Sequence, residues 1–154
     1  MRERRQTSTD RRRAREFEAF VAGAAGRLLH AATLLTGESA DTKPRAERLL
    51  TAALARTYAD WDHLRGGDPY DRARQEIATR YARGAWRHRP RSGRSGRSGE
   101  GLLGRLSPRE RLILVLRLYE GVAEEQTAAL LGLPVDRVRA ICARAVGAMR
   151  QPAR

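Results

Sequence analysis

Aromatic side chains make up only 5% of this sequence, and cysteine occurs once, as Cys142. A core here must be built from Leu, Ala, Val and Ile, and no internal disulfide can staple it. A lone thiol suits a reducing compartment. Lysine is nearly absent too, Lys43 being the single example. Strand signals are missing: there is no alternating Val/Ile/Thr run and no Asn-Gly hairpin. No uninterrupted apolar run is long enough to span a bilayer, and the amino-terminal MRERRQTSTDRRRAREFEAF has no apolar signal core. The expectation is a soluble, cytoplasmic, all-α protein. His30, His63 and His88 are scattered, with no cysteine or second histidine at ligand spacing, and no glycine-rich phosphate loop follows a strand. An enzyme is not expected, nor a metal or other cofactor.

What is present is positive charge. The 154 residues carry a formal net charge of +13, almost all of it arginine. An excess of this size suits a polyanionic partner, most often nucleic acid and less often an anionic membrane. An arginine-biased composition accounts for part of it.

Residues 1–15 hold seven arginines and two acids with almost no apolar residues, and read as a basic tail that is disordered or frays from the first helix. From Phe17 the pattern turns helical, with Phe20, Val21, Ala24, Leu28, Ala31, Ala32 and Leu35 at three- and four-residue steps before Gly37. A second helix is predicted from about Arg45 to Trp61. A third, from Tyr70 to Arg87, has only a thin apolar stripe of Tyr70, Ala73, Ile77, Tyr81 and Ala85. Then RHRPRSGRSGRSGEG repeats Arg-Ser-Gly three times, a composition that cannot bury apolar surface and reads as a flexible linker. The expected plan is therefore a tail (1–15), a helical domain (16–89), a linker (90–101) and a second helical domain (102–150). Each domain is small enough to be marginal alone.

The second domain opens with LSPRERLILVLRLYEG. Ser107 as N-cap, Pro108 at the first helical position and Glu110 three residues on form a capping box. LILVL is apolar on nearly all sides and should be buried, and Gly121 ends the helix. EEQTAALLGLPVDRVRAICARA follows. Counting from Glu124, a small residue (Ala128) stands fifth, a glycine (Gly132) ninth and an apolar residue (Val138) fifteenth, the spacing that two helices crossing closely require. The same spacing would also serve a structural αα-corner. On the second helix Asp136, Arg137, Arg139, Ala140, Ala143 and Arg144 should face outward, and Val138, Ile141, Cys142 and Ala145 inward. Outward arginines can hold phosphates or pair with guanine O6 and N7.

Together these parts resemble region four of bacterial RNA polymerase sigma factors of the extracytoplasmic-function group. In that family an L-S-x-R-E-R…L-R-x-Y-E-G helix precedes the helix-turn-helix that reads the −35 promoter element. The amino-terminal half is similar, more loosely, to sigma region two. The resemblance implies −35 contacts at Arg137, Arg139 and Arg144, with Ala140 beside them. It implies core-polymerase contacts at Arg48, Thr51, Ala52 and Arg56, and −10 contacts at Arg83, Trp86, Arg87 and Arg89. Core RNA polymerase, promoter DNA and an anti-sigma protein are the partners it implies. The family usually has an acid at 48 and a Gln-Glu pair at 51–52, and the −35 helix also departs at Asp136, Arg137 and Ile141. Ala123 replaces a usual serine N-cap, at a cost of roughly 1 kcal/mol. Two other readings stand beside promoter initiation: a sigma-like DNA-binding regulator that no longer initiates, and a non-specific basic nucleic-acid binder.

Overall fold

The computed structural model describes residues 1–87 and 101–151, and among these every regular element is helical. Helix α1 runs Arg2–Thr36, α2 Pro44–Ala59, α3 Pro69–Arg87, α4 Pro108–Leu114, α5 Glu124–Leu131 and α6 Val135–Arg150. Short 3-10 turns follow α2 (Trp61–His63) and precede α4 (Leu102–Arg105). The all-α expectation holds. The Arg-Ser-Gly segment falls at 88–100, outside the described residues.

The amino terminus departs from expectation. Residues 2–15 are not a disordered tail but the first turns of α1. Arginine is a good helix former, and an i,i+4 pair between Arg12 and Glu16, 2.8 Å long, supports the segment. Further along, α1 contains a stretch long and apolar enough to cross a membrane by length and composition. It is stationed as a core helix here: Leu28 and Ala32 are fully buried, with Ala31 and Leu35 beside them.

Helices α1, α2 and α3 pack on one another through small residues. Ala46, Ala53, Ala73 and Ala78 lie almost wholly buried against Leu28, Leu35 and Ile77, so the backbones approach closely without large aromatics. Glu38 closes the loop between α1 and α2. Its carboxylate accepts from the backbone N–H groups of Arg45 (3.0 Å) and Ala46 (2.8 Å), capping α2 where Lys43 offers no side-chain cap.

Helix α4 explains why LILVL is apolar all round. Leu112, Val115 and Leu116 join the cluster of the amino-terminal helices, Ile113 joins Ala128, Val138 and Ile141, and Leu114 joins Leu106 and Ala145. The capping box is formed in both directions, at 2.9 and 3.2 Å. Beyond Leu114 the helix widens into a π-turn, Val115–Tyr119, in which Glu120 N–H reaches back to Val115 O at 2.9 Å. Gly121 then takes φ 68° and turns the chain into α5.

The two halves expected as separate domains thus share one apolar cluster, and polar contacts cross the same seam. The buried Arg111 guanidinium donates to Leu35 O and Leu103 O, each at 3.0 Å. Glu120, its side chain 1% exposed, accepts from the Tyr70 hydroxyl and faces Arg74 at 3.6 Å and Arg27 at 3.8 Å. His30 stacks on Tyr119 with ring centroids 5.2 Å apart.

Candidate nucleic-acid interface

Helices α5 and α6 form the helix-turn-helix that the spacing implies. Ala128 is 3% exposed and packs with Val138 and Ile141, so any larger side chain at 128 would push α6 away. Gly132 takes φ 65°, and the turn is tied by Leu133 N–H to Ala128 O at 3.0 Å. A Cβ at Gly132 would meet nothing within 4 Å, so the glycine is there for its backbone angle and not for space. As the sequence implied, Ala123 caps α5 with no side-chain bond.

The register of α6 also follows expectation. Val138, Ile141 and Ala145 are buried and Cys142 is half-buried, its thiol pushed up by that burial. Asp136, Arg137, Arg139, Ala140, Ala143 and Arg144 are all exposed. The three arginines are not equivalent. Arg139 is held by Glu124, with Nη2–Oε2 at 2.9 Å and Nε–Oε2 at 3.2 Å, and by Asp136 at 3.2 Å. Arg144 reaches the edge of Glu110 at 4.0 Å. Arg137 makes no ion pair among the described residues, which leaves it the least compensated cation of the face.

On the other half, Arg48, Thr51 and Arg56 are exposed along the outer face of α2, with Ala52 half-buried between them. Arg56 pairs with Asp60 at 3.3 Å, and Asp60 also accepts from Arg72 at 2.9 Å. That bond from Arg72 holds the Asp60 carboxyl below its ordinary value. Arg83 is exposed near the end of α3. The side chains of Trp86 and Arg87, and all of Arg89, lie outside the described residues. Among the described residues no three His, Cys, Asp or Glu side chains gather as a metal-holding group.

Sequence reasoning missed Glu120, Tyr70 and Arg111 as seam residues. One signal was present: an acid at a helix C-terminus opposes the helix dipole and needs compensation from elsewhere.

The described architecture defines a DNA-binding protein: an all-α body carrying a helix-turn-helix with an arginine-bearing outer face. Residues 102–151 match the family described as Sigma-70, region 4. The chain is 32% identical to the RNA polymerase sigma-E factor of Streptomyces coelicolor over 157 aligned positions, covering 88% of this chain and 85% of the relative. It is likewise 32% identical to the sigma-E factor of Streptomyces avermitilis, covering 88% of this chain and 84% of the relative. No solved structure matches. The chain belongs to the RNA polymerase sigma factors of the extracytoplasmic-function type, which direct transcription initiation. Core RNA polymerase and promoter DNA are the partners of that family, whose members are in general soluble, cytoplasmic and not enzymes. A likeness that runs through both halves of sigma-E factors does not favour a regulator that has ceased to initiate.

Proposed function

We propose that this sigma factor docks on core polymerase through the outer face of α2, around Arg48, Thr51, Ala52 and Arg56. Helix α6 then enters the −35 major groove with Arg137, Arg139, Ala140 and Arg144 toward the bases and phosphates. Arg83, Trp86 and Arg87 at the end of α3, with Arg89, would meet the −10 element, where cations hold phosphates and an aromatic ring stacks on an exposed base. The observation that carries the assignment is the exposed arginine face of α6 on a correctly spaced helix-turn-helix frame.

The working place is the cytoplasm, and an anti-sigma protein is the candidate regulator. Co-purification from native cells would identify both polymerase and any such partner. Run-off transcription with purified core enzyme and a genomic promoter pool tests the function itself. Sequence-specific transcripts that disappear with Arg137→Ala are expected. Core binding without any specific transcript would remove the assignment of α6 and α3.

A further inference from the structure

Seven arginines lie within residues 1–15, and α1 holds them on a single helix. Among the described residues, only one of them is anchored to another element. Arg13 donates from Nη2 to Tyr58 O at 2.6 Å and pairs with Asp62 at 3.1 Å, and its guanidinium lies 4.6 Å over the Tyr58 ring. Phe17 and Phe20, four and seven residues on, pack against Tyr58 and Trp61 with ring centroids 4.7 to 5.7 Å apart. These residues mark the inner face of the helix and fix its rotation.

The opposite face is then determined. At about 100° per residue, Arg4, Arg11 and Arg15 fall within roughly 40° of one another, away from Arg13 and Phe17. Arg5 and Arg12 flank them, and all five are exposed. Arg12 is paired with Glu16, but Arg4, Arg5, Arg11 and Arg15 make no ion pair among the described residues. From Arg4 to Arg15 the stripe is about 16 Å long at 1.5 Å per residue.

We propose that this stripe grips the phosphate backbone of duplex DNA, as a contact additional to the −35 and −10 readers; it rests on the sigma-factor function given above. Residues 2–15 contain no Leu, Phe or Trp, which an interfacial membrane helix needs on its apolar side. They contain no aromatic ring on which single-stranded bases could stack. A protein partner would be expected to find an apolar or aromatic anchor, and the groove along the stripe is lined by Glu3, Thr7, Ser8 and Glu16, none of them apolar. Guanidinium groups on one face, in excess over Glu3 and Glu16 beside them and without an ion pair at Arg4, Arg11 and Arg15 among the described residues, match the one ligand whose recognition is mostly charge.

The test is the salt dependence of promoter binding by the chain assembled with core polymerase. The slope of log K against log salt is compared for wild type, Arg4→Gln/Arg11→Gln/Arg15→Gln, and the matching triple lysine variant. Each phosphate contact contributes close to one unit of slope, so the glutamine variant should lose about two to three units. Its base preference at −35 should be unchanged, and the lysine variant should keep the wild-type slope. Arg13 is retained in both, and matching far-ultraviolet spectra and melting temperatures show that the fold is intact. An unchanged slope in the glutamine variant overturns the proposal. So does a variant whose deficit appears only in core binding measured without DNA, because the stripe then docks on polymerase. If the wild type shows no promoter preference, the promoter-reading assignment fails; the slope difference on plain duplex still decides the stripe.

Discussion

The hydroxyl of Tyr70 lies 2.9 Å from each carboxylate oxygen of Glu120, fifty residues further along the chain. One phenolic proton is shared between two acceptors of a buried carboxylate, and Arg74 and Arg27 complete the neutralisation from 3.6 and 3.8 Å. This pair sits on the seam where α4 meets the amino-terminal helices, beside the shared cluster of Leu28, Leu112 and Leu116. It joins the helix-turn-helix half to the rest of the molecule.

Tyr70→Phe keeps the ring and removes the donor, leaving the carboxylate with one fewer partner. A loss of about 2 kcal/mol is expected in urea unfolding, the scale of a hydrogen bond to a charged group. Burial and then the neighbouring Glu120 hold the Tyr70 phenol above its ordinary value. The stability tied to that shift is therefore complete below the ordinary tyrosine range and lost as pH rises above it. Alkaline ultraviolet titration should show a late-ionising tyrosine that is missing in Tyr70→Phe.

Glu38→Ala should weaken the start of α2. Burial alone would raise the Glu38 carboxyl, but the backbone N–H groups of Arg45 and Ala46 outweigh it and hold the group below its ordinary value. A lowered folded value means that the stabilisation is present above the ordinary carboxylate range and fades as pH falls through it. Chemical denaturation should show a deficit of about 1 kcal/mol near neutral pH. The two proteins should converge in acid; an equal deficit at both pH values would assign the effect to packing.

At Gly132 the left-handed backbone angle, with open space around it, makes the outcome depend on conformation alone. Gly132→Ala should cost about 1–2 kcal/mol in thermal unfolding. Gly132→Asn should cost less, because asparagine tolerates this region. A neutral alanine variant would show that the turn can relax into another conformation.

Arg137 and Arg139 should behave differently in a promoter-selection experiment. Arg137 has no ion pair among the described residues, whereas Arg139 is already committed to Glu124 and Asp136. Arg137→Ala is expected to remove preference at one base pair, a loss of about 1–3 kcal/mol of discrimination. Arg139→Ala should change preference less. Uniform weakening on all sequences in both variants would point to non-specific binding.

Much of this was readable from local pattern. Ala128, Gly132 and Val138 stand where the crossing of two helices demands a small residue, a positive φ and an apolar contact, and they do those things. Ser107, Pro108 and Glu110 encode a cap within four residues, and it forms. The inward and outward faces of α6 follow from the helical period.

Contacts between distant segments could not be read this way. Nothing adjacent to Glu38 marks it as the cap of a helix that begins six residues later, at Pro44. The all-round apolarity of α4 follows from one fact, that it lies between the amino-terminal helices and the helix-turn-helix.

By itself the sequence determined the helical class, the helix-turn-helix frame, the arginine-bearing face and the kinship with sigma factors. The class, the frame and the face depend on residues within one or two turns of each other, where period and backbone angle are set locally, and the kinship rests on the order in which such local motifs follow along the chain. Only the tertiary structure decided that Arg139 is paired and that Arg137, among the described residues, is not, that Arg13 turns inward and sets the rotation of the amino-terminal stripe, and that Glu120 is buried against Tyr70. Those are choices among partners far apart in the chain, and burial of the shared core settles them by fixing which side chains meet.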